Sequence, residues 1–156
     1  MLTLLQENAR FSIEDIARQT ELPPETVGAA IDELEQTGVV RGYTPVVDPE
    51  RRGTERVRAV IELNVTLDRE TSYSDIADRL AKFPAVESLE LVSGEFDFMM
   101  TVEDDSMRDV SGFVSERVAP VPEITQTVTH YAMQTYKRSG IVMNDGDEDD
   151  RLSVTP

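Results

Sequence analysis

The 156 residues carry 31 Asp plus Glu against 15 Lys plus Arg, a net charge of -16, with 39% hydrophobic residues and no cysteine. Without cysteine, a disulfide framework, a thiolate metal site, an iron-sulfur cluster and a cysteine nucleophile are excluded. No apolar run approaches the roughly 18 residues of a membrane span, and the length suits one domain or two small ones that associate.

Met1 to Leu5 is apolar but short and lacks a basic flank, so no signal peptide is expected and the chain reads as cytoplasmic. Leu2, Leu4 and Leu5 form the apolar side of a short opening helix. Ser12 starts a second helix with Asp15 three residues later, the spacing of a capping box, and Ile13, Ile16 and Ala17 make its inner stripe. Glu21-Leu22-Pro23-Pro24 is a turn, with Pro24 suited to a first helical position. Val27, Ala30, Ile31 and Leu34 then recur at helical spacing until Gly38. Three short helices with a tight turn before the third outline a helix-turn-helix over residues 1–45. Short β-prone pieces from Val39 to Pro49 read as a linker or wing, and the polar stretch within residues 46–56 as the domain boundary.

From Val57 the residues Val57, Ala59, Ile61, Leu63 and Val65 alternate with Arg58, Val60, Glu62 and Asn64, a strand with one buried face. Tyr73, Ile76, Ala77, Leu80 and Phe83 keep helical spacing. Val86–Val92 and Phe96–Val102 predict a hairpin across Ser93-Gly94-Glu95. Ser106 caps a further helix with Met107, Val110, Phe113, Val114 and Val118 inward, and Ile124–Tyr136 predicts a long last strand. The order β-α-β-β-α-β over residues 57–138 is the ferredoxin-like split motif, making the chain an α+β protein with two domains. Residues 139–156 read as an acidic tail. Asp145, Asp147, Asp149 and Asp150 superficially suggest a calcium loop, but Gly146 is misplaced and no bidentate glutamate follows.

A helix-turn-helix, the phrase Gly38-Val39-Val40-Arg41-Gly42-Tyr43 leading to Asp48-Pro49, and a split β-α-β motif with a Gly94-Glu95-Phe96-Asp97-Phe98 hairpin together resemble the Lrp/AsnC (feast/famine) transcription regulators over residues 1 to about 138. The resemblance implies a regulator whose C-terminal domains pair their sheets into dimers. Dimers then build higher oligomers and bind amino-acid-like effectors between them. It also implies DNA and a small effector as partners; with one histidine, no cysteine and no phosphate-loop, nucleophile-elbow or zinc-protease motif, no metal, cofactor or enzymatic activity is expected.

On the DNA side, Thr26 is placed to reach base edges and Glu25 to accept from a cytosine amine; both equally suit a helix start stabilised against its dipole. Gly28 and Ala29 lack side chains that would hold the helix away from a groove, or serve packing. Arg18, Arg41 and Tyr43 are candidate phosphate contacts. The third helix contains no Lys or Arg, and residues 1–45 hold three arginines against eight acids. Affinity from counterion release is therefore small or adverse. On the effector side, the resemblance points to Ser93, Gly94, Glu95 and Asp97 of the hairpin and to Gln126, Thr127 and Thr129 of the last strand. A glycine turn offers backbone donors to a carboxylate, an acid can meet an ammonium, and threonine hydroxyls supply neutral hydrogen bonds.

Acidic residues lie along the whole chain and only Lys82 and Lys137 are lysines, which resembles proteins of extreme halophiles. Two other functions compete. Sirohaem decarboxylases resemble the same architecture, but they need several His and Arg residues, and His130 is the only histidine. Alternatively, the chain joins a more basic paralogue as a hetero-oligomer partner that does not itself bind DNA.

Overall fold

Local sequence signals set the helices of the first unit in the computed structural model, which describes residues 1–143. Helix α1 (Leu2–Glu7) leads to α2 (Ile13–Thr20), where the Ser12 hydroxyl accepts the Asp15 N–H and the Asp15 carboxylate accepts the Ser12 N–H. Glu21 ends α2 in a left-handed conformation with φ 56°, and Pro24 opens α3 (Pro24–Gln36) where no backbone donor is required. Leu5, Ile16, Ala17 and Val27 form the core of this first unit, Met1–Pro45, with Phe11, Ile31 and Leu34 against them. Residues 41–48 carry no regular strand.

The second unit begins at Val46. Its strand β1 (Val57–Val65) is central in a four-stranded sheet with β2 (Val86–Leu91), β3 (Phe98–Asp104) and β4 (Ile124–Tyr131), in the order β2-β3-β1-β4 and antiparallel at every pairing. Helices α4 (Tyr73–Leu80) and α5 (Met107–Phe113) start on Ser72 and Ser106 caps. The end of α5 widens into a π-helical turn, Val114–Val118. Ala59, Ile61 and Leu63 of β1 are fully buried with Phe98, Met100, Ile76, Leu80, Val110 and Val118. Side chains such as Ile61 and Leu63 each contribute about 2–3 kcal/mol by leaving water.

Because directly paired residues share a face, the register divides the sheet. Ile61 opposite Met100 and Thr129, and Leu63 opposite Phe98 and Thr127, face the helices. Glu62 opposite Met99 and Val128, and Asn64 opposite Gln126, face the other side.

Three expectations change. The last strand stops at Tyr131 rather than Tyr136, and a second small sheet pairs β5 (Lys137–Arg138) with β6 (Ile141–Val142). Ser139 and Gly140 both have positive φ, 49° and 83°, the requirement of a tight hairpin turn. Residues 139–143, expected to begin a tail, therefore fold as part of this hairpin, and Met143 is buried. Met107, expected inward, is 51% exposed at the start of α5. The four aspartates of the rejected calcium loop lie outside the described residues.

Candidate functional site

In the first unit, α3 begins with an exposed turn in which Glu25, Thr26 and Ala29 all face solvent and Val27 is fully buried. Gly28 does not join that outward face. A Cβ built on it would sit 3.6 Å from Ile13 Cδ1, so the glycine faces α2. The exposed side of α3 continues with Asp32, Glu33, Glu35 and Gln36, without a cation. Arg18 is paired with Asp15 of its own helix. The Ser12 N–H and hydroxyl, with Arg18 nearby, hold the Asp15 carboxyl below the usual carboxylate value. Arg41 donates through Nε to the Gly38 carbonyl at 3.1 Å, beside the C-terminal end of α3. Tyr43 donates its hydroxyl to Glu35 at 2.9 Å, and that carboxylate raises the phenol pKa. Arg41 and Tyr43 thus brace the end of α3, while Thr26 and Ala29 mark its free face.

In the second unit, the hairpin between β2 and β3 closes through Val92 N–H to the Asp97 carbonyl at 2.9 Å. Gly94 has φ 139°, a conformation that side chains with a Cβ rarely adopt, and the space around it is open. The N–H groups of Ser93, Gly94 and Glu95 make no hydrogen bond among the described residues. Asp97 is already engaged: one carboxylate oxygen accepts the Val65 N–H at 2.9 Å, and the other lies 3.4 Å from the Tyr73 hydroxyl. Asp97 therefore ties the hairpin to the end of β1 and the start of α4.

Glu95 is the acid left free to meet a ligand. It lines a shallow pocket of about 190 Å³ with Phe96, Glu62, Asn64, Gln126 and Val128. Sequence reasoning named only Glu95 and Gln126 of these. Asn64 was missed, yet its Oδ1 is buried without a hydrogen-bond partner and its Nδ2 lies 3.5 Å from Gln126 Oε1. Thr127 and Thr129 do share a face, as their spacing predicts, but it is the helix-facing side, opposite to Gln126. The strand therefore divides the three candidates between two environments. A break in register beside Asn64 and Val65 places Thr125 as the extra residue of β4, and its hydroxyl donates to the Asn64 carbonyl at 3.1 Å. His130 lies on the same face as Gln126, with Nε2 3.0 Å from Glu62 Oε1.

The pocket's carboxylates and amide oxygens suit an ammonium, and the unbonded hairpin N–H groups beside it suit a carboxylate. Among the described residues no group of three or more His, Asp or Glu side chains is arranged to hold a metal ion. No helix of the described residues is long and apolar enough to cross a membrane.

The comparison with known proteins follows the same division. Residues 58–142 match the Lrp/AsnC ligand binding domain, and residues 1–41 match a winged helix-turn-helix DNA-binding domain. The HTH-type transcriptional regulator YugG of Bacillus subtilis is 35% identical over 157 residues, covering 100% of this chain and 95% of that protein. The feast or famine regulatory protein Rv3291c of M. tuberculosis, solved with L-methionine, superposes with a TM-score of 0.73 at 23% identity, over 92% of this chain and 94% of that one. The regulator NMB0573 of Neisseria meningitidis, also solved with L-Met, gives 0.69 at 23% identity, over 90% and 91%. With a DNA-reading unit in front and a ligand-binding sheet domain behind, matched along nearly its whole length, this chain belongs to the Lrp/AsnC family of transcription regulators.

Proposed function

We propose that this DNA-binding regulator changes its assembly or its DNA affinity when an amino acid occupies the pocket beside the Gly94 hairpin. The observation that carries the reading is a pocket lined by Glu95 and Asn64, next to a hairpin whose Ser93, Gly94 and Glu95 N–H groups are unpartnered among the described residues. The Glu95 carboxylate suits a ligand ammonium, the N–H groups its carboxylate. The L-methionine complexes of two family members support this ligand class. The pocket is open to solvent, so a second surface is needed to enclose a ligand, in keeping with a site completed by assembly. Binding and assembly are then linked, because a ligand favours whichever state holds it more tightly. We place the chain in the cytoplasm as a homodimer building higher oligomers.

Calorimetry with a panel of amino acids on wild type and on Gly94→Val tests the site. A β-branched residue at φ 139° should remove binding while light scattering shows the dimer intact. Equal binding by both proteins would move the pocket elsewhere, and no binding by wild type would sink the amino-acid reading.

A second reading has its own support. The exposed face of α3 carries acids and no cation, and Arg18 and Arg41 are already engaged. Such a unit serves in a hetero-oligomer with a more basic paralogue, or binds DNA in concentrated salt through cations bridging carboxylate and phosphate. Titrating the protein into a paralogue–DNA complex, beside genome-wide occupancy at native salt, separates the two. A sirohaem decarboxylase is disfavoured because the single histidine, His130, is partnered by Glu62.

A further inference from the structure

A second pocket lies at the end of the sheet opposite the Gly94 hairpin. It measures about 600 Å³ and gathers Arg52, Arg56, Arg58 and Arg138, four of the 15 cationic side chains in a chain of net charge -16. Three of these are committed. Arg52 and Arg56 share Glu103, Arg56 also reaches Asp105 at 2.9 Å, and Arg58 pairs with Glu87 at 3.1 Å. Burial works to raise the Glu103 carboxyl, but the Arg52 hydrogen bond and the charges of Arg52 and Arg56 outweigh it and hold the group low. Arg138 differs: among the described residues it forms no ion pair, and its Nε is buried without a hydrogen-bond partner. A guanidinium N–H withdrawn from water and left unpaired is costly, which calls for an acceptor that the described residues do not supply. Val57, Ala132 and Met133 add an apolar wall to the same pocket.

We propose that this pocket is a second ligand site, separate from the amino-acid pocket, for a small metabolite that presents an oxyanion to Arg138 and an apolar body to Met133. The planar guanidinium matches the two oxygens of a carboxylate or phosphate, and an acidic protein repels such anions from most of its remaining surface. Because β1, β3 and the segment before β1 all contribute, occupancy cross-links the start of the domain to its sheet. The volume falls in the range of small-molecule sites.

The test uses the full chain at constant ionic strength, with inorganic phosphate and with isocaproate, which is leucine without its ammonium group. Calorimetry should show wild type binding at least one probe, Arg138→Gln weakening it about tenfold or more, Arg138→Lys recovering part of it, and Gly94→Val leaving it unchanged. Matching melting temperatures would show that the variants fold. Failure of both probes on wild type, or equal affinity for Arg138→Gln, would overturn the proposal. Loss of probe binding in Gly94→Val would assign the anion to the amino-acid pocket and also overturn it. If wild type binds neither probe and Arg138→Gln instead weakens DNA binding, the cluster is a DNA backbone contact and the pocket proposal fails.

Discussion

Replacing Asp97 separates holding the hairpin in place from binding the effector. In Asp97→Ala the Val65 N–H, bonded at 2.9 Å in a half-buried position, loses a charged acceptor. Hydrogen bonds to charged groups are worth about 1.5–3 kcal/mol, and the orphaned donor has limited access to replacement water. The Tyr73 hydroxyl at 3.4 Å is near the limit of a hydrogen bond and adds little. The expected loss is therefore about 2 kcal/mol, equivalent to roughly 10 °C for a domain of this size. Asp97→Asn keeps an oxygen for the Val65 N–H and should lose about half as much. Glu95→Ala, exposed and without a partner, should change stability by less than about 0.5 kcal/mol while weakening the effector. Urea unfolding in molar potassium chloride at fixed protein concentration gives the energies, and hydrogen exchange at the Val65 amide gives a local reading. If Asp97→Ala matches wild type, or if Asp97→Asn is as damaging as Asp97→Ala, the hairpin is held by something else.

Two further outcomes follow from charge. Reducing salt from molar to about 0.1 M lengthens the screening distance from about 3 to about 10 Å, so repulsion among the acids should lower the melting temperature; a constant value would remove the case for salt adaptation. Hydrogen bonds from the Ser72 hydroxyl and backbone N–H hold the Asp75 carboxyl below its ordinary value of 3.8. A folded pKa lower than the unfolded one gives stability that is present above the unfolded value and lost as pH falls through the folded one. Ser72→Ala should therefore melt lower than wild type near neutrality, with the gap narrowing below about pH 4; a gap that stays constant with pH would exclude the linkage.

What the sequence made legible is what short-range chemistry decides. Ser12 with Asp15, Pro24 after Pro23, and the alternation from Val57 to Val65 each carry their conformation in neighbouring residues, and the helix-turn-helix and β1 follow from them. The candidate sites depend on register instead. The side of the sheet to which Gln126 and Thr127 belong is set by pairing with Asn64 and Leu63, about sixty residues earlier, and by the extra residue at Thr125. Asn64 reads in the sequence as the polar half of an alternation, and nothing local marks its Oδ1 as unpartnered. Gly28 looks free for a groove until the α2–α3 packing sets it against Ile13. The hairpin at Ser139-Gly140 had a local signal, a small residue before glycine, which the surrounding loss of periodicity obscured.

The central position of β1 has a consequence for how the chain comes to be folded. Its partners are strands that follow it by tens of residues: Asn64 and Gln126 are separated by 62, and Val65 and Asp97 by 32. Closing such loops precedes most of the contacts that reward them, which slows folding relative to a helical unit whose contacts are local. During synthesis, residues 1–45 can form their three helices as soon as they emerge, whereas β1 waits for both neighbours with its apolar face uncovered. The ligand-binding half is therefore the slow and aggregation-exposed half. A ribosome-stalled chain ending before β4 should show a protease-resistant helical unit attached to a domain that is still open.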